Sequence, residues 1–179
     1  MKKIDFKTCS IEELWRCVAS ELARNDVDVI LVGGAVASIY SNGEYISGDL
    51  DFVLNDLSRT KLNEVLLKLG FVQHSRHYHH PECKHLFLEF FYFPASIGED
   101  NSIAPDEIEE NGVLIKIYSP TDSVRDRLAS YIHFKAYNCM DQAVMIAKRH
   151  PINFEKVKAW CMSEGRPEAF DVLMQKLKT

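Results

Sequence analysis

Asp49 and Asp51 stand two apart in the stretch Asp49-Leu50-Asp51-Phe52-Val53-Leu54, with apolar residues between and after them. Residues at i and i+2 of a strand point to one face, about 6.6 Å apart at the backbone for a rise of about 3.3 Å per residue. Carboxylates converging from that spacing can hold two hard cations about 3.5 to 4 Å apart, the arrangement used for in-line displacement at phosphorus. Such a centre needs a third carboxylate from a neighbouring strand. Glu89, between Leu88 and Phe90 in an otherwise apolar run, is the candidate. Upstream, Gly33 and Gly34 close the β-branched run 27–32. Glycines at the end of a strand let the backbone approach a phosphate and aim its amides at it.

Each piece alone has a plainer meaning: Gly-Gly is a turn in most proteins, and Asp-x-Asp is a common solvated strand edge. Their order, with Glu89 in a strand, supports the metal-site reading. Asp-x-Asp also occurs in nucleotide-sugar glycosyltransferases, where a longer chain is usual and the glycine pair has no use. Five of the seven histidines, His74, His77, His79, His80 and His85, fall in one short window with Glu82 and Cys83. No standard zinc spacing appears there, so a polar hairpin without metal is expected. Arg125 and Arg127 lie on one predicted helix and diverge by about 200°, so at most one faces a nucleotide. Tyr131, Phe134 and Tyr137 read as core positions.

The elements that must position these residues are legible in turn. Ser10-Ile11-Glu12-Glu13 is a capping box for a helix over 11–24. The strand 27–32 runs into the glycine turn and a short helix over 35–40, and 49–54 is a half-buried strand. Ser58 caps a helix over 59–69 that Gly70 stops. Strands are expected at 71–73, 85–93 and 113–118, with an acidic exposed excursion over 95–111. Ser119-Pro120-Thr121-Asp122 starts a helix over 120–136, and helices over 139–149, 154–162 and 167–177 follow. The expected architecture is α/β (α+β): a mixed α/β core over 1–118 and a helical C-terminal region over 119–179.

The chain has 179 residues, 46% of them hydrophobic and 26% charged, the balance of an ordinary globular core. No apolar run approaches the ~20 residues that span a bilayer, and the basic first residues lead into a charged amphipathic stretch, so neither membrane nor secretion is expected. Cys9, Cys17, Cys83, Cys139 and Cys161 are odd in number and lack a Cys-x-x-Cys pair, which fits reduced thiols and a cytoplasmic location. A net charge of −5 without a lysine and arginine block gives no source for extended binding to a nucleic-acid backbone.

Gly33-Gly34, Ser47-x-Asp49-x-Asp51 and the later Glu89 resemble the signature of the DNA polymerase beta-like nucleotidyltransferase superfamily, in its minimal antibiotic and toxin-antitoxin forms. The run Pro120-Thr121-Asp122-Ser123-Val124-Arg125-Asp126-Arg127-Leu128-Ala129 and the later Gln142-Ala143 are similar to those of an uncharacterised bacterial group in that superfamily. The resemblance implies a mixed sheet flanked by helices, with Mg²⁺ (or Mn²⁺) on Asp49, Asp51 and Glu89. It further implies a nucleoside triphosphate (NTP) on Gly33, Gly34, Ser47 and Arg125, and transfer of a nucleotide to an acceptor hydroxyl of RNA, protein or a small molecule. Glu89 would also assist deprotonation of the acceptor. Gly34 stands where many active members have serine, and the arginine often found before the Ser-x-Asp is replaced around Glu44-Tyr45. The alternative is a weak or inactive nucleotidyltransferase fold that binds nucleotide or a partner protein, as half of a toxin-antitoxin pair.

Overall fold

A computed structural model describes residues 4–54, 59–91 and 94–179. Helix α1 (Ile11–Arg24) opens on the expected capping box: the Ser10 hydroxyl accepts from the Glu13 amide at 3.2 Å, and the Glu13 carboxylate accepts from the Ser10 amide at 2.8 Å. Strand β1 (Val29–Val32) is buried along its whole length and runs directly into α2 (Gly33–Tyr40), which starts at Gly33, two residues before the expected position. Strand β2 (Asp49–Leu54) and α3 (Arg59–Lys68) follow; the Ser58 cap lies outside the described residues.

The histidine window folds as strands. After β3 (Val72–His74), β4 (His77–His80) adds a strand that the sequence reading did not separate, and β5 (Cys83–Phe91) is the long central one. The expected excursion over 95–111 contains β6 (Asp106–Glu110), paired antiparallel with β7 (Val113–Ile117). It reads as a loop because it is an edge strand, with Asp106, Glu107 and Glu109 exposed and Ile108 packed against the core. Ala95 and Ile97, earlier in the same stretch, are buried.

The strands form one mixed sheet in the order β3-β4-β5-β2-β1-β7-β6. β2 is antiparallel to β1 and parallel to β5, and β1 is parallel to β7. Alternation along β2 and β5 splits their residues between two faces. Leu50, Phe52, Leu88 and Phe90 are buried in the core, with the Phe52 and Phe90 rings stacked at 5.1 Å. Asp49, Asp51, Phe87 and Glu89 take the other face.

Helices α4 (Pro120–Phe134), α5 (Asn138–Ala147), α6 (Phe154–Ser163) and α7 (Pro167–Leu177) complete the chain. Ser119 caps α4 by accepting from the Asp122 amide at 3.1 Å, with Pro120 in the first turn. α4 and α5 pack on α2, so the helical region is joined to the sheet beside the glycine turn.

Candidate active site

Asp49 and Asp51 share a face of β2, and the β2–β5 register sets Asp51 directly beside Glu89. On the other side Val32, the last residue before the glycine pair, is opposite Asp51. Burial and the neighbouring charges of Asp49 and Glu89 push the Asp51 carboxyl up to about 7, against an ordinary value of 3.8, and the Arg127 guanidinium only partly offsets this. Negative charge therefore outweighs positive charge around Asp51.

The glycine pair is a packed floor under these carboxylates. Gly33 has φ +76°, and a Cβ there would lie 2.7 Å from Asp51 Oδ2. At Gly34 a Cβ would lie 2.9 Å from Ser47 Oγ and 3.4 Å from the Tyr45 hydroxyl. This explains glycine where the resembling family often carries serine: the hydroxyls of Ser47 and Tyr45 already fill that space. Ser47 in turn donates to Asp49 Oδ1 at 2.7 Å, fixing the carboxylate's orientation. Val32 offers no side-chain cap to α2, so the first amides of that helix are left for another acceptor.

Glu89 is buried and paired with Arg76. Arg76 Nε lies 3.0 Å from Oε1, while His77 Nε2 lies 3.3 Å from Oε2 and accepts from Arg76 Nε at 3.2 Å. The β4–β5 register places His77 opposite Glu89, while Arg76 reaches in from the β3–β4 turn with its side chain 73% exposed. Among the described residues no choice of one oxygen from each of Asp49, Asp51 and Glu89 brings all three within 4.8 Å of one another. The ion pair with Arg76 gives the physical reason: Glu89 is held toward the hairpin.

Arg125, expected at the nucleotide, is placed elsewhere. Its side chain is buried, pairs with Asp122 at 2.7 Å and with Asp100, and stacks over the Trp160 ring at 5.7 Å. Arg127 is the one whose charge reaches Asp51, while it pairs with Asp126 at 2.6 Å and donates to Gln142 at 3.3 Å. Helical geometry separates the two arginines, and only the docking of α4 selects between them. Arg76 was not singled out in the sequence, because nothing local ties a hairpin-turn arginine to a glutamate on another strand.

No family model matches the sequence, and no curated protein does. Among solved structures, the chain is similar to an antigenic nucleotidyltransferase-like protein from Paracoccidioides brasiliensis, with a TM-score of 0.58 and 20% identity over 78% of this chain and 74% of that one. It is also similar to the antibiotic-resistance factor ANT(2'')-Ia, with a TM-score of 0.51 and 13% identity over 94% of this chain and 90% of that one. The chain has a nucleotidyltransferase-like fold. On this fold the donors on the carboxylate face are hard oxygens, and half-buried Asp51 stands beside the negative charges of Asp49 and Glu89. That donor set fits a divalent cation such as Mg²⁺. No helix among the described residues of the nucleotidyltransferase-like fold is long and apolar enough to cross a membrane.

Proposed function

We propose that the chain is a metal-dependent nucleotidyltransferase that moves a nucleotide from an NTP to an acceptor hydroxyl of RNA, protein or a small molecule. The observation that carries this reading is the placement of Asp49, Asp51 and Glu89 on one sheet face beside the uncapped start of α2. Asp49 and Asp51 would hold Mg²⁺ (or Mn²⁺), with Glu89 contributing once it leaves Arg76. Bound there, the cation would neutralise charge developing on the phosphoryl oxygens. The chain's own groups would do the rest. Backbone amides at Gly33 and Gly34 would receive the phosphates, Ser47 would keep Asp49 oriented, and Glu89 would accept the acceptor's proton. The acceptor oxygen forms a bond to the α-phosphorus as the bond to pyrophosphate breaks.

A second reading is a nucleotide- or partner-binding scaffold without turnover, for instance within a toxin-antitoxin pair; the ion pair that holds Glu89 to Arg76 favours it. Incubating the purified chain with each labelled NTP, Mg²⁺ and either total RNA or lysate separates the two. Label transfer that disappears in Asp51→Asn supports the enzyme. NTP binding without transfer to any acceptor supports the scaffold.

A further inference from the structure

A second cluster lies at the opposite end of β5 from Glu89. Cys9, Cys83 and His85 bring their ligand atoms within 4.8 Å of one another, the only such set among the described residues. Cys9 and Cys83 are buried, while His85 is exposed. Cys83 and His85 are two apart on β5 and so share a face. Cys9 comes from the turn ahead of α1, where its amide donates to Asp5 O at 2.9 Å.

The imidazole orientation is informative. His85 Nε2 lies 2.8 Å from the carbonyl oxygen of Cys9, 76 residues away in sequence. A carbonyl only accepts, so Nε2 carries the proton and the Nδ1 lone pair faces the Cys83 thiol, which donates to it. Nδ1 lies 3.9 Å from Cys83 Sγ. Metal-bound histidines are held in this way, one nitrogen donating to a backbone carbonyl and the other left for the ion. Tetrahedral zinc, with Zn–S of about 2.3 Å and Zn–N of about 2.0 to 2.1 Å, sets its ligand atoms roughly 3.5 to 3.8 Å apart. From separations of no more than 4.8 Å, the cluster needs a contraction of about 1.3 Å at most to reach that spacing.

Neighbouring groups that could compete are already used. His80 Nδ1 accepts from the Glu82 amide at 3.2 Å and its ring stacks on Phe6 at 3.7 Å, and Glu82 pairs with Lys7 at 3.7 Å. We infer that Cys9, Cys83 and His85 form a zinc site, binding one Zn²⁺ through two sulfurs and Nδ1, with a solvent molecule at the fourth position. Soft thiolates select zinc over magnesium, and the carboxylate face has the opposite preference, so the two sites discriminate metals by ligand chemistry. The ion ties the segment ahead of α1 to the start of β5. Glu89 lies four residues beyond His85 on that strand, about 13 Å at about 3.3 Å per residue, too far to share a ligand with this site.

Cobalt(II) tests this, because tetrahedral thiolate sites give visible d–d bands and a near-ultraviolet sulfur-to-cobalt band. The chelator-treated, reduced full chain should develop both bands, saturating at one equivalent, and one equivalent of Zn²⁺ should abolish them while excess Mg²⁺ does not. Cys9→Ser/Cys83→Ser should lose the sulfur band. His85→Gln, an exposed replacement that leaves both thiols in place, should weaken affinity by at least about tenfold. His77→Gln/His79→Gln and Asp49→Asn/Asp51→Asn should match the wild type. Absence of the sulfur band in the reduced wild type, its survival in the double cysteine variant, or wild-type affinity in His85→Gln would overturn the site. So would a Cys9–Cys83 disulfide, seen by mass spectrometry, that forms despite one equivalent of Zn²⁺.

Discussion

Gly33 and Asp51 occupy one space: a Cβ on the glycine would stand 2.7 Å from the aspartate's Oδ2. The backbone at Gly33, with φ +76°, is also one that L-residues avoid. Gly33→Ala should therefore destabilise the fold by about 1 to 3 kcal/mol and push the Asp51 carboxylate from its place. Gly48→Ala has no such cost, since its Cβ would meet nothing within 4 Å. Denaturant unfolding of the two variants should separate them clearly.

Asp51→Asn should abolish nucleotide transfer, because it removes a ligand to the cations that neutralise phosphoryl charge, and should leave the far-ultraviolet spectrum unchanged. Transfer at the wild-type rate would move the reaction centre elsewhere.

The same carboxyl makes metal-free stability depend on pH. Its folded-state value of about 7 lies above the ordinary 3.8, so the folded state binds the proton more tightly. The associated stability is fully present below about pH 4 and is lost as pH rises through about 7, amounting to a few kcal/mol in order of magnitude. Asp51→Asn removes this titrating group. The wild type should thus lose stability relative to the variant between pH 5 and pH 8, measured as the difference between their unfolding free energies with chelator present. A flat difference would refute the charge cluster.

Cations reverse that penalty by binding the folded state, adding RT ln(1 + [L]/Kd), about 2.7 kcal/mol at a hundredfold excess over Kd. Millimolar Mg²⁺ or Mn²⁺ with NTP should raise the melting temperature of the wild type but not of Asp49→Asn/Asp51→Asn. An equal rise in both would mean the ligand binds elsewhere.

Arg76 competes for Glu89 from an exposed position, so its removal leaves the core intact. Exposed ion pairs contribute up to about 1 kcal/mol, so Arg76→Ala should lower the Mg²⁺ concentration needed for half-maximal transfer by up to about fivefold. A higher requirement would instead make Arg76 a ligand-binding group.

Arg125→Met should act on stability rather than on nucleotide affinity. Breaking a buried ion pair costs about 3 to 5 kcal/mol, and Lys156, 2.8 Å from Asp122, moderates the loss. Chemical denaturation together with NTP titration of the folded variant checks both halves.

The sequence by itself determined what is local. The capping box at Ser10, the Ser119-Pro120 start of α4 and the shared face of Asp49 and Asp51 follow from hydrogen-bonding capacity and strand period over a few residues. The apolar run around Glu89 likewise marked a strand with an out-of-place charge. Tertiary structure decided everything that depends on register and docking. The parallel β2–β5 pairing, not any spacing, sets Glu89 beside Asp51, and the β4–β5 pairing brings His77 to Glu89. Periodicity separated Arg125 from Arg127, but the packing of α4 against its neighbours committed one to a buried ion pair with Asp122 and the other to Asp126, from where its charge is felt at Asp51. The acidic edge strand β6 looked like a loop because its exposed side chains carry no burial signal. Cys9 meets Cys83 and His85 only because the turn ahead of α1 closes over the start of β5, a contact between distant segments that no local pattern encodes.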